Sequence, residues 1–101
     1  MSMKPIKLEN KLTVNGKEVT SVTLDFSKLT GKDLIKAEAE VRADGEVTPL
    51  LTFSLKYQAA LAARMIGITY DDIMEMNADD FSKITNRAVS YTHLRAHETA
   101  A

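Results

Sequence analysis

The sequence LTVNGKEV at residues 12–19 carries the strongest local structural signal in the chain. Asn15-Gly16 tolerates positive φ at both central positions of a turn, and such a turn closes a two-residue β-hairpin. The residues on both sides of the turn alternate between apolar and polar, as expected for strands with one buried face. The sequence therefore predicts a β-hairpin near the N-terminus.

The second strand of the hairpin continues into an alternating apolar run, Val22, Leu24 and Phe26. Val19 and Val22 are three residues apart, so they cannot share one face of a regular strand. This spacing predicts a bulge or kink at Thr20–Ser21. A lone hairpin is marginally stable in water, so the face that carries the apolar run needs a cover.

Helical signals follow the hairpin. Thr30 and Asp33 have the spacing of a capping box, and Gly45 is the predicted left-handed end of this first helix. After a predicted linker at residues 46–49, the longest helical signal starts between Thr52 and Ser54 and stops at Gly67.

Two further capped segments begin near Thr69 and Asn77. Their first turns hold carboxylates, which the helix dipole favours. The predicted fold class is α+β: an N-terminal β-hairpin followed by three to four helices in one small domain.

Composition narrows the function. The chain has 101 residues, of which 45% are hydrophobic and 27% charged, and its net charge is -1. Without a basic excess, nucleic-acid binding is not expected. Without cysteine there is neither a disulfide framework nor a thiolate metal site. No apolar run approaches the length of a membrane span, and no signal peptide is expected at the N-terminus.

The last residues hold both histidines, His93 and His97, whose spacing of four would place them on one helix face. A zinc site can use this spacing, but a third ligand is missing. The segment Val89–Thr99 also resembles the translation of a transposase-type sequencing adapter, and every residue fits that reading frame. We therefore expect residues 1–88 to form the domain and residues 89–101 to be a non-native tail that packs poorly or extends the last helix without purpose. The alternative is a genuine helical tail.

In the remaining chain, acidic residues are the candidates for catalysis and metal binding. Carboxylates cluster at Asp71, Asp72, Glu75, Asp79 and Asp80, but they do not match a calcium-binding loop, and helix capping explains them better. No nucleophile, base and orienting group occur together. We therefore expect no catalytic residues, no metal and no cofactor, and the protein is not expected to be an enzyme.

A partner-binding surface is the remaining candidate. The long central helix is apolar over more than half of its circumference, and methionines follow it. Methionines are usually core fillers, yet their flexible thioethers also suit a surface that binds varied helices. The candidate partner-binding residues are Tyr57, Leu61, Met65, Met74 and Met76.

Taken in order, these features resemble one family. The features are the V-x-G-K-x-V hairpin at residues 14–19, Leu24-Asp25-Phe26, LTGKDL at 29–34, the alanine-rich helix around Tyr57, Gly67-Ile68, Asp71-Asp72-Ile73 and ADDF at 78–81. This order, over Ile6 to Ala88, is similar to the small tail assembly proteins of long-tailed phages and prophages of Gram-positive hosts. They are grouped with the Mu-type phage tail assembly chaperones.

The resemblance implies a chaperone in the host cytoplasm that binds the tape measure protein during tail morphogenesis, with the tail tube protein as a second candidate partner. It supplies no catalytic, metal or cofactor residues, and the oligomeric state is left open. The alternative is a minor structural component of the phage tail. A DNA-binding regulator would need a basic recognition helix, which the sequence does not contain.

Overall fold

The computed structural model of the chain describes the backbone of residues 4–100 and the side chains of residues 4–92. Two antiparallel strands, β1 (Ile6–Val14) and β2 (Lys17–Val22), form the hairpin. Four helices follow: α1 (Gly31–Ala43), α2 (Leu55–Ile66), α3 (Tyr70–Met74) and α4 (Ala78–Ala100). Short 3-10 turns at Phe26–Lys28 and Leu51–Phe53 precede α1 and α2. The predicted α+β architecture is confirmed.

The hairpin turn has the predicted geometry. Asn15 and Gly16 have φ of 53° and 80°, and Val14 pairs with Lys17 across the turn. Positive φ at both central residues gives the turn a twist that matches the twist of the two strands. The local sequence therefore sets the register at this end of the sheet.

The register breaks farther along the hairpin. Lys7 pairs with Ser21, whereas Leu12 pairs with Val19, so five residue steps in β1 face two in β2. The extra residues lie in β1, opposite Thr20, and the prediction of a bulge at Thr20–Ser21 chose the wrong strand. The bulge lies in β1 because Asp80 of α4 accepts hydrogen bonds from the backbone N–H groups of Glu9 and Asn10 there.

Helix α2 lies at the centre of the domain and packs against α1, α3 and α4. Every residue from Ala59 to Ala63 is buried. Four of these five are alanines, whose small side chains let neighbouring helices approach closely. Val22 and Leu24 are both buried as predicted, while Phe26 is half-buried. Strand β2 ends at Val22, however, so the predicted continuation of the strand through Leu24 and Phe26 is wrong, and Phe26 starts the first 3-10 turn.

The helix ends follow the predicted local signals. Thr30 with Asp33 and Thr69 with Asp72 form reciprocal capping boxes at the starts of α1 and α3. At the end of α2, Gly67 adopts φ of 96° and donates its N–H to the carbonyl of Ala63. These bonds satisfy backbone groups that a helix end otherwise leaves unpaired.

The last described side chains of α4 pack against the domain, contrary to the expectation of a poorly packed tail. Tyr91 is only 3% exposed, and the Thr92 hydroxyl donates a hydrogen bond of 3.2 Å to the side-chain oxygen of Gln58. Poor packing is therefore a wrong expectation for these two residues. The domain boundary after residue 88 and the adapter origin of the tail stay predictions. The side chains of His93 and His97 lie outside the described residues.

Candidate partner-binding site

The five predicted partner-binding residues differ in accessibility. Leu61 and Met65 are 1% and 3% exposed, so they lie on the buried side of α2 and form part of the core. Tyr57 and Met76 are half-buried at the edge of that core. Met74, at the end of α3, is 41% exposed. The accessible part of the set is therefore Tyr57, Met74 and Met76.

Tyr57 combines an apolar environment with a nearby carboxylate. Burial and the negative charge of Glu38 both raise the pKa of the Tyr57 phenol above its usual value. The hydroxyl therefore stays protonated at neutral pH and can donate a hydrogen bond to a partner.

Met76 lines a small cavity between β1 and the connection from α3 to α4. The cavity has a volume of about 200 Å³ and is also lined by Leu8 and Leu12. Its polar wall contains Asn77 and Asp80, so apolar and polar groups meet there.

A second apolar surface begins in the predicted linker at residues 46–49 and continues to the first residue of α2. No charged residue occurs from Val47 to Leu55. Four large apolar side chains in this segment face solvent: Val47 is 85% exposed, Leu50 63%, Phe53 69% and Leu55 58%. We call these four residues the apolar loop surface. The run of nine residues without a charge was the sequence feature that could have indicated this surface. Periodicity alone does not show whether apolar side chains in such a run point outward or into the core.

The polar residues of the same loop point inward and hold it. The Glu46 carboxylate accepts hydrogen bonds from the Ser54 hydroxyl at 2.6 Å and from the Thr48 amide at 3.1 Å. These bonds, led by that of Ser54, lower the pKa of Glu46 to about 2. The Ser54 hydroxyl also accepts the Tyr57 amide and so caps α2. A single carboxylate thus joins the two ends of the loop and fixes the start of the central helix.

Gln58 fixes the second half of the loop from the core. Its side chain is 1% exposed, and its amide nitrogen donates to the carbonyl of Thr52 at 2.9 Å. Its amide oxygen accepts from Thr92 of α4. A buried amide needs both kinds of partner, so this pairing ties the loop to α4.

Asp80, one residue of the acidic cluster at Asp71–Asp80, has a structural role. Its carboxylate is buried and accepts the backbone N–H groups of Glu9 and Asn10 and the side-chain amide of Asn77. Burial acts to raise the pKa of Asp80, but these bonds and the charge of Lys83 outweigh it and the pKa is lowered. The carboxylate is therefore ionised and occupied by structural contacts.

Neither a metal centre nor a membrane span is found in the part of the chain that the structure describes. Within residues 4–92, no three His, Cys, Asp or Glu side chains are arranged to hold a metal ion. Of the described helices, none is both long and apolar enough to cross a membrane.

Comparison with known proteins identifies the family. The family model described as "Phage tail assembly chaperone proteins, E, or 41 or 14" matches residues 5–92. No curated protein and no solved structure matches the chain. The family match extends over well more than half of the chain and includes both strands, α1 to α3 and the first part of α4. The chain therefore belongs to the family of phage tail assembly chaperone proteins.

Proposed function

We propose that this protein binds the tape measure protein in the host cytoplasm and keeps it soluble until the tail tube assembles around it. The observation that carries the proposal is the match to the chaperone family over residues 5–92. The tape measure protein is a long, largely helical chain, and its amphipathic helices expose apolar faces before assembly. The tail tube protein is a second candidate client.

The proposed activity is binding without chemistry. An apolar helix face is recognised by an apolar surface that excludes water. The accessible members of the predicted surface, Tyr57, Met74 and Met76, are candidate contacts. Leu61 and Met65 support the surface from the core and would contact a client only indirectly.

Co-expression tests the proposal directly. The tape measure protein of the same phage is produced with and without this chain, and its soluble fraction and co-purification are measured. An unrelated small acidic protein produced at the same level is the matched control. We expect a several-fold gain in soluble tape measure protein only with this chain. Equal solubility in all three cultures would contradict the proposal.

Purified virions distinguish a chaperone from a structural component of the tail. A chaperone leaves as the tube forms, so mass spectrometry of purified particles is expected to find less than one copy per virion. A fixed number of copies in every particle would show that the protein is a tail subunit instead.

A further inference from the structure

We infer that the apolar loop surface, Val47, Leu50, Phe53 and Leu55, captures the apolar face of a short amphipathic helix in a client tail protein. This inference rests on the proposed function for the identity of the client. It concerns a different surface from the residues around Tyr57 and α3 that the sequence analysis selected.

Three of the four residues lie within a closed loop, residues 46–54, and Leu55 follows it directly. The hydrogen bond of 2.6 Å between Glu46 and Ser54 joins its two ends. A loop of nine residues with joined ends reaches no farther than roughly 14 Å, since an extended chain spans at most about 3.5 Å per residue. Two to three turns of helix, at 5.4 Å per turn, cover the same distance.

The arrangement of polar and apolar groups is the reverse of that in an ordinary surface loop. The polar groups, Glu46, Thr48 and Ser54, bond to one another, and Gln58 holds the backbone at Thr52. The Arg42 guanidinium adds a bond of 3.2 Å to the Glu46 carbonyl. A loop held in this way loses little conformational entropy on binding, so its exposed apolar groups are preorganised for a partner.

The size of the surface favours a single helix over a second copy of this chain. Four side chains at these exposures present on the order of 400–500 Å² of apolar area, comparable to the largest patches on monomeric proteins. Each partner of a stable interface contributes about 800 Å², so this surface is too small to hold a dimer alone. An uncharged surface also imposes no charge pattern on its partner, and weak, unselective binding suits a client that must be released.

Peptide binding tests the inference. Fifteen-residue peptides that tile the helices of the tape measure protein each carry one tryptophan. The full chain has none, so indole fluorescence reports peptide binding alone. The affinity of the wild type is compared with that of the double variant Leu50→Ser/Phe53→Ser. The control is Ile35→Ser, which removes an equally exposed apolar side chain from α1.

We expect the double variant to bind the best peptides at least tenfold more weakly, while the Ile35→Ser control stays within about twofold of the wild type. Circular dichroism melts of all variants check that the fold is unchanged. If the double variant binds as well as the wild type, the loop is not the capture surface. The inference also fails if no peptide binds although the tape measure protein is solubilised by this chain, and in both cases the proposed function stands.

Two further outcomes separate the inference from its alternatives. A tape measure protein that is neither solubilised nor co-purified would refute the proposed function itself. Sedimentation that shows a wild-type dimer and a monomeric Leu50→Ser/Phe53→Ser variant would assign the surface to self-association and overturn capture of a client helix.

Discussion

Asp80 joins the hairpin to the last helix through one buried carboxylate. The N–H groups of Glu9 and Asn10 lie where the register of β1 breaks, and Asp80 accepts both at 2.8 Å and 3.1 Å. Asn77 at the start of α4 holds the same carboxylate, at 2.8 Å. The bulge therefore depends on the start of α4, and it could not be assigned from the hairpin segment alone.

Replacing Asp80 with alanine is expected to lower the free energy of unfolding by about 2–4 kcal/mol, because it leaves two partly buried amides without an acceptor. Urea denaturation followed by circular dichroism measures the change. Asp79→Ala is the matched control: Asp79 is exposed in the same helix turn, and its loss is expected to cost less than about 1 kcal/mol. Equal losses for the two variants would show that the Asp80 bonds are dispensable.

The lowered pKa of Glu46 predicts that the folded protein loses stability in acid. Its pKa is about 2 in the folded protein against an ordinary value of 4.5, so the ionised form is favoured by folding. The stabilisation is complete above pH 4.5 and is lost as the pH falls towards 2. In Glu46→Gln the melting temperature should start lower and fall less steeply over this range. Glu75→Gln removes an exposed carboxylate at the end of α3 and should keep the wild-type slope. An unchanged slope in Glu46→Gln would contradict the assignment.

At the scale of elements, glycines at two helix ends are expected to affect stability in opposite ways when they are replaced by alanine. Gly67 ends α2 with φ of 96°, a conformation that costs an alanine about 1–2 kcal/mol. Gly31 is the first residue of α1, and a Cβ there would meet nothing within 4 Å. Thermal melts should show Gly67→Ala to be less stable than the wild type and Gly31→Ala to be more stable by up to about 1 kcal/mol. A neutral Gly67→Ala would mean that the cap can rearrange.

The elements that could be predicted from the sequence are those whose cause is local. Asn15-Gly16, the Thr30 and Thr69 caps and Gly67 each act within a few residues, and the structure has them where they were predicted. The bulge in β1 depends on Asp80, which is 71 residues from Glu9 in the chain. The outward-facing loop after α1 is held by Gln58, whose own side chain is bonded by the distant Thr92 of α4. Periodicity therefore identified the core of α2 but could not show which apolar residues remain at the surface.

At the scale of the whole molecule, α4 closes the domain along its length. Its buried residues begin at Asp80 beside the hairpin and reach Tyr91 and the bond from Thr92 to Gln58, beside the apolar loop. One helix thus stabilises both the hairpin and the candidate client surface. The family match also ends at residue 92.

Truncation tests where the folded domain ends. A chain that ends at Thr92 keeps the whole stretch that the family model matches, and its melting temperature is expected to stay within about 2 °C of the full chain. A chain that ends at Ala88 loses buried Tyr91 and should lose about 2–4 kcal/mol of unfolding free energy. Tyr91→Ala in the full chain separates loss of this side chain from fraying of the helix end and should reproduce most of the loss. If the chain that ends at Ala88 is as stable as the full chain, the folded domain ends at residue 88, where the adapter-like sequence predicts its boundary. The burial of Tyr91 would then contribute nothing to the stability of the domain.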